Sequence, residues 1–408
     1  MKKEETIVRE GRAYGLIIGL IGLMGLMGCS KDEASVKAPG TSTEVEVASF
    51  VTLIDEADGS NRAYGADGAY GAHRAWAIPS GYVAYEDGVQ PIGIAFTQNG
   101  VDPTVGADPE NPKPMIGSFF KSSDKWRTDL DNIASADYYL YGYIPHQTAI
   151  NYSITDYDGA ANGAYSTGAI MTLEKVPTVM PNDLCVVIGA KHGYDREHDG
   201  NNDGTNRLRM GDFGFTSASS NTGNYVFLLF DHLYAALKVN MSIYADYAKL
   251  RTIKLKSLQL STQAGDVTTK KRTDITIKLR ATDGSVNPIE DITYDQPATY
   301  PAIEGGLEFW SNSAGTALTT APQPFIGHFM PLGITRLSLT SKYDVYDTKG
   351  NLIRKNCKVT NSVLLSALFS GQTQTERGKR YTINMTIQPT YLYMLSEPDL
   401  DNPTVVVN

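Results

Sequence analysis

The sequence predicts an all-β protein: two β-sandwich domains in tandem with few short helices. Three observations predict it. Tyrosine is unusually frequent, 24 of 408 residues against 12 Phe and 3 Trp, and aromatic residues suit half-buried strands. Segments that alternate apolar and polar residues recur along the chain, separated by Gly, Pro and Asn turn signals. Helix signals are scarce.

The elements follow in order. Residues 1–15 carry Lys2, Lys3, Arg9 and Arg12, and 16–28 is an uninterrupted apolar or Gly stretch. At about 13 residues it falls short of the roughly 20 that span a bilayer. It reads as the apolar part of a secretory signal covering 1–28. Leu26-Met27-Gly28-Cys29 forms a lipobox, in which cleavage before the cysteine leaves an acylated Cys29 as the first mature residue. Acylation tethers an otherwise soluble protein to a membrane. Residues 30–43 read as a polar tether, and 44–54, with alternation and then an apolar run, as a strand. From 55 to 74 the chain is rich in Gly, Asp and Ala, with Arg62 and Arg74 its only Arg or Lys residues. Such a stretch is a candidate for proteolytic processing, or else a long surface loop.

Beyond it, 134–144 is an aromatic strand ending at Pro145, and 184–188 an apolar one. The Ser/Asn/Gly linker at 217–224 marks the expected boundary between a first domain over 63–222 and a second over 223–408. Residues 225–244 read as two strands. Period-two alternation recurs at 254–261, 274–280, 336–346 and 381–387, most regularly in Ile275, Ile277 and Leu279. Asn361-Ser362 predicts a capped helical turn over 363–369, ended by Gly371.

Charge and motifs narrow the function. Lys and Arg total 36 against 45 Asp and Glu, a net charge of −9, which excludes nucleic acid as a partner because that needs a basic face. The sequence has no GxSxG elbow, HExxH, phosphate loop or dinucleotide fingerprint. It therefore reads as a non-enzyme without a cofactor. The six His are scattered, and His232, in an apolar run, reads as a hydrogen-bonded structural residue. Cys185 reads as a buried inert thiol; whether it pairs with Cys357 is left open. Asp199, Asn201, Asp203 and Gly204 reproduce the first half of a calcium loop, but its twelfth position is Met210 instead of an acid. The segment reads as an Asn/Asp/Gly surface loop, with calcium the weaker alternative.

These features in this order resemble the fimbrillin family, the subunits of type V pili. The local matches are Tyr138-Tyr139-Leu140-Tyr141-Gly142-Tyr143-Ile144-Pro145, then Phe230-Asp231-His232-Leu233-Tyr234-Ala235, then Gly378-Lys379-Arg380-Tyr381-Thr382-Ile383-Asn384-Met385-Thr386-Ile387. The resemblance spans nearly the whole chain. It implies transthyretin-like sandwiches and a lipoprotein precursor exported to the outer membrane, where an Arg-specific protease removes the first strand. A C-terminal strand of a neighbouring pilin subunit then fills the vacated groove, building a fimbrium that supports adhesion. Mapped here, the removed piece is 29–62, with cleavage between Arg62 and Ala63; Arg74 and Ala75 are the second choice. The donor segment is 390–408, contributing Tyr391, Tyr393, Leu395, Val405 and Val407. The competing expectation is an outer-membrane lipoprotein that binds glycans on Trp76, Trp126 or Trp310.

Overall fold

A strand with one apolar face must bury it against a second layer, and the chain does so around two hydrophobic cores. The computed structural model describes residues 42–57, 81–85, 90–98, 114–130, 133, 136–157, 168–193, 208–213, 224–280, 287–303, 305–369, 371–391 and 398–407.

The first core lies under a 10-stranded sheet. Its order is Thr43–Glu44, Lys125–Thr128, Met115–Ser122, Ile92–Gln98, Ala136–Ile144, Cys185–Gly193, Tyr225–His232, Glu46–Thr52, Tyr82–Ala84, with Arg209–Phe213 beside Ala136–Ile144. A 4-stranded sheet of Ile289–Asp295, Arg272–Arg280, Gly168–Pro177 and Asn151–Asp156 contributes to the same core. Ile94, Tyr141, Val187 and Leu228 of the large sheet and Met171, Leu173 and Ile277 of the small one have no exposed surface. The Tyr-Gly-Tyr motif has a packing reason. A Cβ on Gly142 would stand 2.4 Å from the Gly93 carbonyl oxygen, so only glycine lets those two strands close.

The second core lies between a 6-stranded and a 5-stranded sheet. The first runs Val179–Met180, Gln323–Phe329, Ala235–Ile243, Lys379–Tyr391, Pro398–Val407, with Asp55–Glu56 beside Lys379–Tyr391. The second runs Val267–Thr268, Thr252–Ala264, Arg336–Tyr346, Leu352–Leu364, with Leu307–Ala317 beside Thr252–Ala264. Leu237, Val239, Leu255, Tyr343 and Tyr381 fill it. Among the described residues the helices are single turns, Ala245–Ala248 and Leu365–Leu368. The all-β class and its sandwich layers are as the alternation predicts.

Two details differ from the sequence reading. The strand after the 217–224 linker, Tyr225–His232, packs in the first core, and the chain crosses to the second between Tyr234 and Ala235. The Arg272–Arg280 and Ile289–Asp295 strands also return to the first core. Leu279, Ile277 and Ile275 there find Ala169, Met171 and Leu173 opposite them on Gly168–Pro177, and that match of apolar faces outweighs sequence proximity. Asn361 and Ser362 do not cap a helix: they extend the Leu352–Leu364 strand, paired with Leu339 and Ser338. Ser338 Oγ donates to Ser362 Oγ at 2.8 Å, and Asn361 Nδ2 donates to the Val405 carbonyl at 2.8 Å. Ser362 is thus engaged within its own sheet and Asn361 across the sandwich, and the helical turn begins only at Leu365. Cys185 and Cys357 are both free, which answers the pairing question.

Candidate functional site

The Glu46–Thr52 strand is the element most distinctively placed. It lies between Tyr225–His232, to which it runs parallel, and Tyr82–Ala84, to which it runs antiparallel. Val45, Val47, Phe50 and Val51 are between 2 and 9% exposed. Phe50 stacks on Phe227 with ring centroids 4.7 Å apart. Burying four such side chains is worth about 6–12 kcal/mol before ordering costs. Upstream, Thr43–Glu44 pairs with Lys125–Thr128 at the far edge of the same sheet, with Lys125 Nζ 3.0 Å from Glu44 Oε2. Downstream, Asp55–Glu56 runs parallel to Lys379 and Arg380, Arg380 Nη1 meets Glu56 Oε1 at 3.2 Å, and Ala57 is buried in the second core. Residues 43–57 therefore thread through both cores.

Where the segment passes from one core to the other, a polar cluster grips Thr52. Asp231 Oδ1 accepts from Thr52 Oγ1 at 2.8 Å. The other Asp231 oxygen accepts from Asn287 Nδ2 at 2.9 Å and from Arg377 Nη1 at 2.8 Å. His232 Nε2 stands 2.7 Å from the Thr52 carbonyl oxygen, and Nδ1 stands 2.5 Å from Asp183 Oδ2. Burial alone opposes charge on Asp231, but the Arg377 guanidinium overrides it and holds the carboxyl below its ordinary range. Burial likewise opposes charge on Asp183 and His232. The pair overcomes it, lowering the Asp183 pKa and raising that of His232. Burial, then the Asp183 and Asp231 carboxylates, pushes the Cys185 thiol well up. A cleft of about 720 Å³ opens beside the cluster, lined in part by Thr52, Asp231, His232, Tyr294 and Arg377.

Asp183, Cys185 and His232 place one potential metal-ligating atom each within 4.8 Å of one another. The short Nδ1 to Oδ2 approach is that of a hydrogen bond, since tetrahedral ligands at about 2 Å from one zinc stand roughly 3.3 Å apart. His232 is thus the hydrogen-bonded structural histidine its apolar surroundings predicted.

The C-terminal strand, Pro398–Val407, lies at the edge of the second core's larger sheet, antiparallel to Lys379–Tyr391. Of the residues expected in the donor segment, Val405 is buried in that core and Val407 packs against it, while Tyr391 ends the neighbouring strand. Trp126 lies against the first core with Lys121 Nζ 5.4 Å from its ring centroid. Trp310 packs on the second, edge to face with Phe325 at 4.6 Å. Each ring is engaged within its own sandwich. Cys29, Arg62, Ala63, Arg74, Ala75, Trp76, Asp199, Asn201, Asp203, Tyr393 and Leu395 lie outside the described residues.

No family model matches the chain, and no curated protein does. Its similarities are to solved structures. One is a candidate cell adhesion protein from Bacteroides uniformis, at 11% identity and a TM-score of 0.31, covering 91% of this chain and 98% of that one. The fimbrial anchor protein from Porphyromonas gingivalis aligns at 8% identity and a TM-score of 0.22, over 89% of this chain and 97% of its own. The C-terminally truncated tip fimbrial protein of the same organism aligns at 9% and 0.25, over 88% and 98%. At these values the likeness carries no functional weight.

The sequence pointed to the first strand and to the C-terminal one, but not to the cluster between the cores. Thr52 and His232 are 180 positions apart, and although His232 lies in the Phe230–Ala235 match, nothing in the sequence joins it to Thr52. The one local signal was a His beside an Asp in an apolar run, where each must find a partner.

Proposed function

We propose that the chain is a structural subunit of a cell-surface fimbria that supports adhesion. In this reading it is exported as a lipoprotein acylated on Cys29, cut after Arg62 with Arg74 the second choice, and polymerised by strand exchange. The observation that supports this most is the seat of Glu46–Thr52. An N-terminal strand occupies the interior of a sheet between two neighbours, so its removal leaves open ladders and an apolar cleft.

Such a cleft templates pairing with another chain. Main-chain hydrogen bonds provide affinity and alternate side-chain pockets provide selection. The donor is the C-terminal segment 390–408 of the next subunit, which presents Tyr391, Tyr393, Leu395, Val405 and Val407. A head-to-tail contact of this kind, repeated without closing, gives a filament. The partners are other pilin subunits, the outer membrane through the lipid before cleavage, and an Arg-specific protease.

On cells, the assembled protein begins at Ala63, or at Ala75 for the second site, and runs as an SDS-resistant ladder. N-terminal sequencing that finds only acylated Cys29, together with no ladder, overturns the reading. Removal of residues 390–408 leaves a folded monomer that adds no further subunit; truncates that polymerise normally move the donor elsewhere.

A further inference from the structure

Both ring nitrogens of His232 face oxygen acceptors: Asp183 Oδ2 at 2.5 Å and the Thr52 carbonyl at 2.7 Å. A neutral imidazole has one N–H and one lone pair, so either tautomer turns that lone pair on an oxygen. Only the imidazolium donates to both. The ring is nearly sealed, its side chain 3% exposed, so water does not replace a lost donor. The same residue, Thr52, is held a second time through its hydroxyl by Asp231, which Arg377 and Asn287 fix in place. Arg377 Nη1 also donates to the His232 carbonyl at 2.9 Å. The junction is thus a built seat for the end of a strand, shaped for one carbonyl and one hydroxyl.

We propose that protonated His232, braced by Asp183, clamps the carbonyl of Thr52 and keeps the first strand in its cleft, and that loss of the ring proton frees the strand's end. The proposal takes from the fimbrial reading only the use of that release. The groups facing His232 are Asp183 and Cys185 from one side, Asp231 on its own strand, His328 across the junction, and Arg377 beyond Asp231. Asp183 and Asp231 favour the charged ring. The Cys185 thiol is held neutral by burial and by those carboxylates. His328 is itself pushed toward neutrality, by burial first and in smaller part by His232 and Arg380.

The direction in pH follows. His232 has its pKa above the ordinary 6.5, so its contribution is complete below that value and is lost as pH rises through the higher folded one. Asp183 and Asp231 lie below 3.8, so theirs is lost only as pH falls through their lowered values. The clamp therefore opens on the alkaline side, not under mild acid.

Hydrogen exchange on the uncut full-length chain tests this. Protection factors of the Glu46–Thr52 amides, taken relative to those of Thr252–Ala264 in the second core, should fall about tenfold as pH rises from about 6 to 9. His232→Gln keeps an amide N–H for the Thr52 carbonyl but cannot titrate, so its profile should be flat. Asp183→Asn removes the carboxylate that favours the charged ring and should move the midpoint down. Thr52→Val, lacking only the hydroxyl, should lower protection a few-fold at every pH and leave the midpoint in place. A flat wild-type profile, or an Asp183→Asn midpoint equal to the wild type, overturns the clamp. The wild-type profile needs no variant, so a substitution that fails to fold does not remove the test. An uncut acylated Cys29 terminus on cells together with no SDS-resistant ladder, with this profile intact, ends the fimbrial reading alone. A ladder with a flat profile ends the clamp alone.

Discussion

The chain contributes a strand from near each end, and the two strands are held in opposite ways. Glu46–Thr52 has a hydrogen-bonded neighbour on both sides, buries Phe50 and Val51 in the first core, and continues until Ala57 is buried in the second. Pro398–Val407 has one neighbour, Lys379–Tyr391. Among its described side chains, Val405 is buried in the second core and the half-buried Val407 packs against it. The difference concerns what each strand can do without unfolding the rest. An edge strand peels away and leaves every inner ladder intact. An inner strand that joins two cores leaves only by breaking the ladders on both its sides, here those to Tyr225–His232 and Tyr82–Ala84. On the proposed function this asymmetry is useful: the strand to be discarded needs a covalent cut, while the strand to be donated needs only an exchange of partners.

The contrast predicts unequal costs. Phe50→Ala removes a ring that is 5% exposed and stacked on Phe227, and should destabilise the protein by about 3–5 kcal/mol in urea unfolding. Val405→Ala, at the edge of the second core, should cost about 1–3 kcal/mol. It should leave exchange protection in the first core unchanged. Equal losses in the two variants would break the comparison, because the C-terminal strand would then be as integral as the first.

The strands themselves were largely legible in the sequence. Ile275, Ile277 and Leu279 alternate, and all three are fully buried, because a sheet with one covered face imposes period two on its residues. Partnership was not legible. Nothing local shows that this strand pairs with Gly168–Pro177, far upstream of the linker, as well as with its sequence neighbour Ile289–Asp295. Asn361-Ser362 misled for a related reason: the same side chains that cap helices also bridge strands, and the ladder to Arg336–Tyr346 decided between them. The polar cluster was least legible. Its members come from five separate stretches, around residues 52, 183, 231, 287 and 377, and no local pattern joins them until the fold brings them together.

The finest test of the comparison concerns how the C-terminal strand is tied. Asn361 Nδ2 donates to the Val405 carbonyl from the opposite sheet at 2.8 Å, a link across the sandwich in addition to the main-chain ladder. Its Oδ1, by contrast, is buried with no hydrogen-bond partner among the described residues. Asn361→Ala removes a bond worth about 0.5–1.5 kcal/mol and also the cost of that unpaired oxygen, so the two changes largely cancel. Global stability should move by less than about 1 kcal/mol. The effect should be local: exchange of the Val405 and Val407 amides should quicken several-fold, while that of Glu46–Thr52 stays as it was. If the C-terminal amides do not respond, the ladder to Lys379–Tyr391 alone holds the strand. An edge with one set of bonds would then be easier still to donate.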